Sequence, residues 1–355
     1  MTKDSHTWRE ILSQPQTWRA TLDTFDADQT KLERFLEQTD LDQILVIGCG
    51  STHYLAQAAA ATLTHCTGIP ARAVPSSELW LFPDIVPTDR TLLLAVSRSG
   101  TTTETLRALE RFREISGGPA ITITCYPESP LAQQADLVMA APDAQEQSIA
   151  QTRSFTSMLL LSQALVAAVA HNAAMLEHLH HLPDALDNFV VRIEGLSQSL
   201  GTNLDIERFF FLGGGPLYGL ANEAMLKTKE MSLSHSEAYH PLEFRHGPMS
   251  MVNEHTLVVG LLSDTGLSEE LRVLQDMQGL GGRTLMLTED AANNKRSVAM
   301  VEWQADHIVE LHSSLDEWER GPLYLPVLQR IAYHRAVAKG LDPDRPHNLT
   351  AVVEL

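Results

Sequence analysis

The run Thr91-Leu92-Leu93-Leu94-Ala95-Val96-Ser97-Arg98-Ser99-Gly100-Thr101-Thr102 decides the reading of this chain. Its first half is continuously apolar, as in a strand buried on both faces of a parallel sheet. Its second half is a polar turn with a glycine, and a helical stretch follows from about Thr102 to Ile115. Strand, turn and helix in that order make one step of an open α/β sheet. At the carboxyl edge of such a sheet, the unpaired N–H groups of the helix's first turn and the helix dipole face the ligand space. Ser97, Ser99 and Thr102 add hydroxyl donors there, and Gly100 lets the backbone come close. The pattern suits an anion such as phosphate; an ordinary helix cap with spare hydroxyls uses the same residue types.

Moving outward, Gln43 to Ile47 is an apolar run ending in Gly48-Cys49-Gly50, with an alanine-rich helix near Tyr54 to Leu63. Ala120 to Thr124 and Leu137 to Ala140 are further strands. The order then repeats. Phe209 to Leu212 runs into Gly213-Gly214-Gly215 and a helix from about Leu217 to Leu233. Leu257 to Leu262, a helix near Leu267 to Met277, Arg283 to Thr288 and His307 to Leu311 follow. This is an internal duplication of an α/β unit. It predicts a helical segment over 1–40 anchored by Trp8, Leu12, Trp18 and Leu22. A first domain with linking helices then covers 41–200, and a second covers 201–340, ending in a helix from Leu323 to Ala338. A polar tail occupies 341–355. The apolar stretch Met158 to Met175 carries Ser162, Gln163, His171 and Asn172, so it reads as a buried core helix and not a membrane span.

The chain has 355 residues, 44% hydrophobic and 20% charged, which fits a globular protein with substantial cores. A formal net charge of −19 argues against nucleic acid and anionic membranes as partners. The three cysteines, Cys49, Cys66 and Cys125, lack metal-ligand or CxxC spacing, so neither a metal site nor a disulfide framework is expected. The polar start, without an apolar leader, points to the cytoplasm. In Gly48-Cys49-Gly50-Ser51-Thr52 the third glycine position of a dinucleotide fingerprint is His53, and no GxxxxGK[ST] stretch exists, so no cofactor is expected. Ser51 and Thr52 read either as further donors to the same anion or as simple caps. Glu223, Lys227 and Glu230 fall at i, i+4 and i+7 on one helix face. Spacing alone favours a solvated salt-bridge ladder there. His246 lies in a loop flanked by glycine and proline, where an imidazole can shuttle protons.

Four stretches carry a resemblance to a known family. They are Cys49-Gly50-Ser51-Thr52, Ser97 to Thr102, Glu223-Ala224-Met225-Leu226-Lys227-Thr228-Lys229-Glu230, and Glu237-Ala238-Tyr239-His240-Pro241-Leu242-Glu243-Phe244-Arg245-His246-Gly247-Pro248. Together they resemble the double sugar isomerase (SIS) domain family: the isomerase half of glucosamine-6-phosphate synthases and its stand-alone isomerase, deaminase and deglycase relatives. The resemblance implies a tandem of two flavodoxin-like domains with parallel sheets covered by helices on both faces. It implies a homodimer with His246 donated across the interface, and a phosphorylated sugar or amino sugar as ligand. Ser51, Thr52, Ser97, Ser99 and Thr102 are assigned to the sugar phosphate. Arg98 falls where the synthases carry glutamine, bringing an extra charge toward the ligand. Glu230 becomes the proton-transfer base, Lys227 the residue that places it, and His246 the ring-opening group. The segment Gln147 to Ser157 resembles the family's loop over the sugar, with Gln151 as a hydroxyl contact.

Two departures stand out. The synthases close their site with a tail lysine at the position of Ala351, for which Lys339 is the nearest substitute. The leading segment, about forty residues, is too short for a glutaminase domain, so amide transfer from glutamine is not expected. Ser263-Asp264-Thr265-Gly266 is acidic and reads as differently spaced from the serine turn, which predicts one phosphate site per chain, in the first half. These expectations describe a cofactor-independent isomerase or deaminase of a 6-phosphorylated sugar. A non-catalytic phosphosugar sensor and a fructosamine-6-phosphate deglycase stand as alternatives; a dehydrogenase would rest on Gly48-Cys49-Gly50 alone.

Overall fold

The computed structural model describes residues 5–86, 89–289 and 305–350. Ala351, with the rest of the tail from 351 to 355, lies outside the described residues.

Contacts group the chain into two compact units. One contains Leu12–Pro183; the other contains Asp184–His347 together with the amino-terminal residues up to Ile11. The linking segment is thereby divided at Pro183. The helix Glu194–Thr202 packs on the last helix, Leu325–Ala338, inside the second unit.

The first unit carries a five-stranded sheet of β1 (Gln43–Gly48), β2 (Ala71–Pro75), β3 (Thr91–Val96), β4 (Ala120–Thr124) and β5 (Leu137–Ala140). Its order is β2-β1-β3-β4-β5 and every pair is parallel. All six residues of β3 are buried, because helices cover both sheet faces. On one face the helix Thr103–Ile115 lays Ala108, Leu109 and Phe112 against Leu45, Leu93 and Ala95. On the other, the alanine-rich helix Ser51–Thr67 meets the helix Arg153–Val169. Small side chains let those backbones approach. The helix Gln14–Glu37 joins this unit: Trp18 is buried and donates to Thr156 at 2.9 Å, which donates to Gln14 at 2.8 Å. Leu12, expected as an anchor, is 42% exposed; it ends a short helix, His6–Leu12, on the outward side.

The second unit repeats the plan. Its sheet holds β6 (Arg208–Gly213), β7 (His235–Tyr239), β8 (Thr256–Leu261), β9 (Arg283–Thr288) and β10 (His307–Glu310), in the order β10-β9-β8-β6-β7 and all parallel. The duplication extends to single glycines. A Cβ on Gly48 would meet the Thr52 carbonyl at 2.5 Å, and one on Gly213 would meet the Leu217 oxygen at 2.4 Å. In both halves the first strand therefore feeds its helix through a turn too tight for a side chain.

The stretch Met158 to Met175 is not one helix. The helix ends at Val169, His171 turns with φ 50°, and the Asn172 side chain caps a new helix by accepting from the Met175 N–H at 3.1 Å. Asn and His are among the residues that tolerate such a break. No described helix is long and apolar enough to cross a membrane.

Candidate active site

The serine turn sits at the carboxyl end of β3, beside the end of β1, its sheet neighbour. The Ser97 N–H continues the ladder to the Ile123 carbonyl at 3.0 Å, and the chain then leaves the sheet. Gly100 adopts φ +65°, which L-residues avoid, and a Cβ there would collide with Ser129 Cβ at 2.4 Å. The Gly100 N–H donates to Ser97 Oγ at 3.1 Å. Thr101 donates to Ser99 Oγ twice, from its N–H at 3.2 Å and its hydroxyl at 3.0 Å. Ser97 Oγ and Thr102 Oγ1 lie 3.4 Å apart. Ser99 thus accepts two bonds and donates none among the described residues, so its O–H is available to an acceptor. Thr102 occupies the N-cap position of the helix Thr103–Ile115 without capping it. Hydroxyls aimed from a helix N-terminus are the means by which neutral residues hold an anion.

At the end of β1, Thr52 closes its own turn. It accepts from the Cys49 N–H at 2.9 Å and donates to the Cys49 carbonyl at 3.0 Å. Its hydroxyl proton is committed to that turn, whereas Ser51 is buried at the first position of its helix. Arg98 is also engaged. Its Nη1 donates to the Ile149 carbonyl at 2.9 Å and pairs with Glu146 at 3.5 Å. Gln151 lies in the loop beyond, with its Oε1 buried and without a partner among the described residues.

Glu146 is a residue that the sequence reading passed over. Its side chain is wholly buried, and its carboxylate accepts from the Thr152 N–H and hydroxyl, both at 2.7 Å, and from the N–H and hydroxyl of Ser154. The signal lay in hydroxyl residues opening the helix at Arg153, but a lone acid in a polar loop has no periodic mark.

In the second unit, the helix Leu217–Ser232 carries Glu223, Lys227 and Glu230 on one face. Glu223 and Lys227 are buried, against 19% exposure for Glu230. The Lys227 ammonium lies 3.4 Å from Glu223 and is hydrogen-bonded to Glu230. This is an inward-facing ion cluster and not a solvated ladder. Burying a lysine at 1% exposure demands such carboxylate partners.

His246 is exposed and follows the short helix Pro241–Phe244, whose Phe244 is locked in the core against Phe210 at 4.9 Å between centroids. The His246 N–H closes the turn on the Glu243 carbonyl at 3.0 Å. Lys339 donates to the carbonyls of Ser232 at 2.6 Å and Leu233 at 3.0 Å, neutralising the end of the helix that bears Lys227. Burial, with Arg335 nearby, holds its pKa below the usual lysine range. Its donors serve that helix end.

The turn after β8 corrects the sequence reading. Ser263 and Gly266 are spaced like Ser97 and Gly100, and the Gly266 N–H donates to Ser263 Oγ at 2.8 Å. The serine-to-glycine spacing is shared; the glycine conformation, the start of the helix and what fills the turn are not. No group of three or more His, Cys, Asp or Glu side chains suited to a metal occurs among the described residues.

Two parallel sheets and their matched strand-to-helix turns define a tandem α/β protein with an anion-type turn in its first half. SIS domains match residues 39–168 and 204–334, so the chain belongs to the SIS-domain family. It is 30% identical over 314 residues to the isomerizing glutamine–fructose-6-phosphate aminotransferase of Legionella pneumophila, covering 87% of this chain and 50% of that one. The chain spans about half the length of the curated relatives it matches. Glucosamine-6-phosphate deaminase from Thermotoga maritima is similar at 27% identity and TM-score 0.79, over 99% of this chain and 100% of that one. Tagatose-6-phosphate ketose/aldose isomerase from Escherichia coli shares the fold, with TM-score 0.86 and 24% identity over 98% and 96% of the two chains. At family level these are sugar-phosphate isomerases and deaminases.

Proposed function

We propose that the chain is a cofactor-independent isomerase or deaminase of a 6-phosphorylated sugar, with glucosamine 6-phosphate and fructose 6-phosphate as the first substrates to test. The observation that carries this reading is the Lys227–Glu230 pair on a buried helix face of a SIS-domain chain. A carboxylate fixed by a buried ammonium, yet still partly exposed itself, is placed to move a proton between adjacent carbons. The donors at Ser97, Ser99 and Thr102 support phosphate as the anchored group, with Ser51 beside them in sequence role.

For glucosamine 6-phosphate the steps balance without a cofactor. His246 opens the ring by taking the O1 proton on its imidazole and delivering a proton to the ring oxygen. Glu230 takes the C2 proton as O1 gains a proton from solvent, giving an enolamine, and returns it at C1 as the nitrogen lone pair forms the C2 imine. Water then cleaves the resulting C2 imine, releasing ammonia and fructose 6-phosphate. Lys227 keeps Glu230 oriented and Gln151 binds a sugar hydroxyl. The reading includes a homodimer in which each copy supplies His246 to the other. An equimolar mixture of inactive Glu230→Gln and His246→Ala proteins should then regain part of the wild-type activity.

The direct test is NMR of the purified protein with glucosamine 6-phosphate, and with fructose 6-phosphate plus ammonium. Ammonia release with fructose 6-phosphate formation establishes a deaminase, and sugar conversion without ammonia a plain isomerase. Saturable binding of both sugars with no turnover of any phosphorylated sugar or fructosamine sinks the enzymatic reading in favour of a sensor.

A further inference from the structure

An arginine inside a phosphate turn reads first as a direct contact to the anion. The geometry around Arg98 points elsewhere. Its side chain is 9% exposed, and Nη1 reaches the Ile149 carbonyl at 2.9 Å, with the Ser148 carbonyl and Glu146 Oε2 both at 3.5 Å. Its own carbonyl accepts from Cys125 N–H and Thr124 Oγ1, each at 3.1 Å, so the backbone of Arg98 is pinned to the end of β4. From this fixed base the guanidinium grips the incoming arm of the 146–154 loop. Glu146 grips the outgoing arm through Thr152 and Ser154. Arg98 and Glu146 also neutralise each other where neither is well solvated.

Gln151 lies between these two grips. Its buried Oε1 lacks a hydrogen-bond partner among the described residues, a state that costs free energy unless a bound donor completes it. A sugar hydroxyl is such a donor; a phosphate dianion is not.

We propose that Arg98 is a positioning residue that clamps the 146–154 loop to the serine turn and so sets Gln151 for a sugar hydroxyl. Phosphate is held by the hydroxyls of the turn, and Arg98 adds selectivity for the sugar. The inference rests on the phosphosugar reading for its ligand, but the clamp itself can be tested without one.

The experiment uses the full chain as wild type, Arg98→Lys, Arg98→Gln, Gln151→Ala and the Arg98→Gln/Gln151→Ala double variant. Calorimetric titrations with glucosamine 6-phosphate and with inorganic phosphate are paired with hydrogen exchange of the ligand-free proteins. Arg98→Gln and Gln151→Ala should each weaken the sugar phosphate about tenfold, the double variant no further, and inorganic phosphate should change by less than about twofold. A general loss of structure would weaken both ligands alike. In Arg98→Gln the amides of Thr152 and Ser154 should exchange faster while those of Thr105 to Phe112 keep their protection. Arg98→Lys keeps the charge but loses the planar fork, and should fall on the side of Arg98→Gln. The proposal is overturned by additive losses in the double variant, or by unchanged exchange at Thr152 and Ser154. Equal weakening of inorganic phosphate in Arg98→Gln, restored by Arg98→Lys, would make Arg98 a direct anion contact instead. Wild type that binds neither ligand removes the phosphosugar reading and leaves the exchange data to decide the clamp.

Discussion

The turns after β3 and β8 are two versions of one device. Each follows a six-residue strand buried throughout and opens a helix of 13 residues. Each closes by a glycine N–H donating to a serine Oγ, at 3.1 Å in the first and 2.8 Å in the second. In the second turn the donors are taken by the chain's own acids. Glu270 accepts from Ser263 N–H at 2.7 Å and its hydroxyl at 2.9 Å, and Glu317 accepts from Asp264 and Thr265 N–H. Asp264 in turn binds Arg320 through two bonds of 2.7 Å. In the first turn Glu104 stands at the matching position, yet Ser97 N–H goes to the sheet and Ser99 keeps its proton. An anion cradle can therefore be filled from inside, as a structural pin, or left open for a ligand. Two differences separate the turns: Gly100 takes φ +65° where Gly266 takes φ −97°, and only the second turn is filled by acidic side chains.

The largest expected contrast is between the two glycines. Gly100→Ala forces a side chain into the left-handed region and onto Ser129, and glucosamine 6-phosphate affinity should fall about a hundredfold or more. Gly266→Ala meets the end of Glu270 at 2.9 Å and Ser263 Oγ at 3.0 Å, both side-chain atoms within the second turn, and affinity should stay within about threefold. Equal losses in calorimetric titration would break the distinction. Next, Ser99→Ala should cost about tenfold in affinity, whereas Thr265→Ala should cost none, because the Thr265 hydroxyl is already donated to Glu317 at 2.6 Å.

The smallest effect concerns stability. Burial, the largest cause, pushes the Glu270 carboxyl up to about 7; Ser263 opposes this, while Glu317 and Asp264 add to it. A carboxyl that binds its proton more tightly when folded stabilises the protein fully below its unfolded pKa. That contribution is lost as pH rises toward and through 7, and is of order 3 kcal/mol at most. Thermal melts at pH 5 and pH 8 should therefore differ less in Glu270→Gln than in wild type. An unchanged difference would mean that Glu270 is not the titrating pin of the second turn.

The sequence made the central strands legible because burial on both faces leaves unbroken apolar runs, as in β3 and β8. It did not reveal β2 and β7. Both are edge strands with mixed surroundings, Ala71–Pro75 ending in proline and His235–Tyr239 mostly polar. Their pairing comes from the neighbouring β1 and β6, which no local pattern encodes. At the candidate site, hydroxyl residues and glycine at a strand-to-helix junction were readable as chemistry. The engagement of Arg98 with the loop, and of Thr52 with its own turn, was not, since each depends on where a carbonyl lies in space. The likeness of the two turns was obscured by Asp264, whose charge hides the same glycine N–H to serine Oγ closure on a different backbone.

The central claim is that Glu230 moves the proton. It is tested by comparing wild type and Glu230→Gln on glucosamine 6-phosphate, with turnover and affinity measured on the same preparations. The account predicts at least a thousandfold loss of turnover, on the order of 4 kcal/mol in the barrier, with sugar phosphate affinity within about threefold of wild type. Wild-type turnover in Glu230→Gln would contradict it.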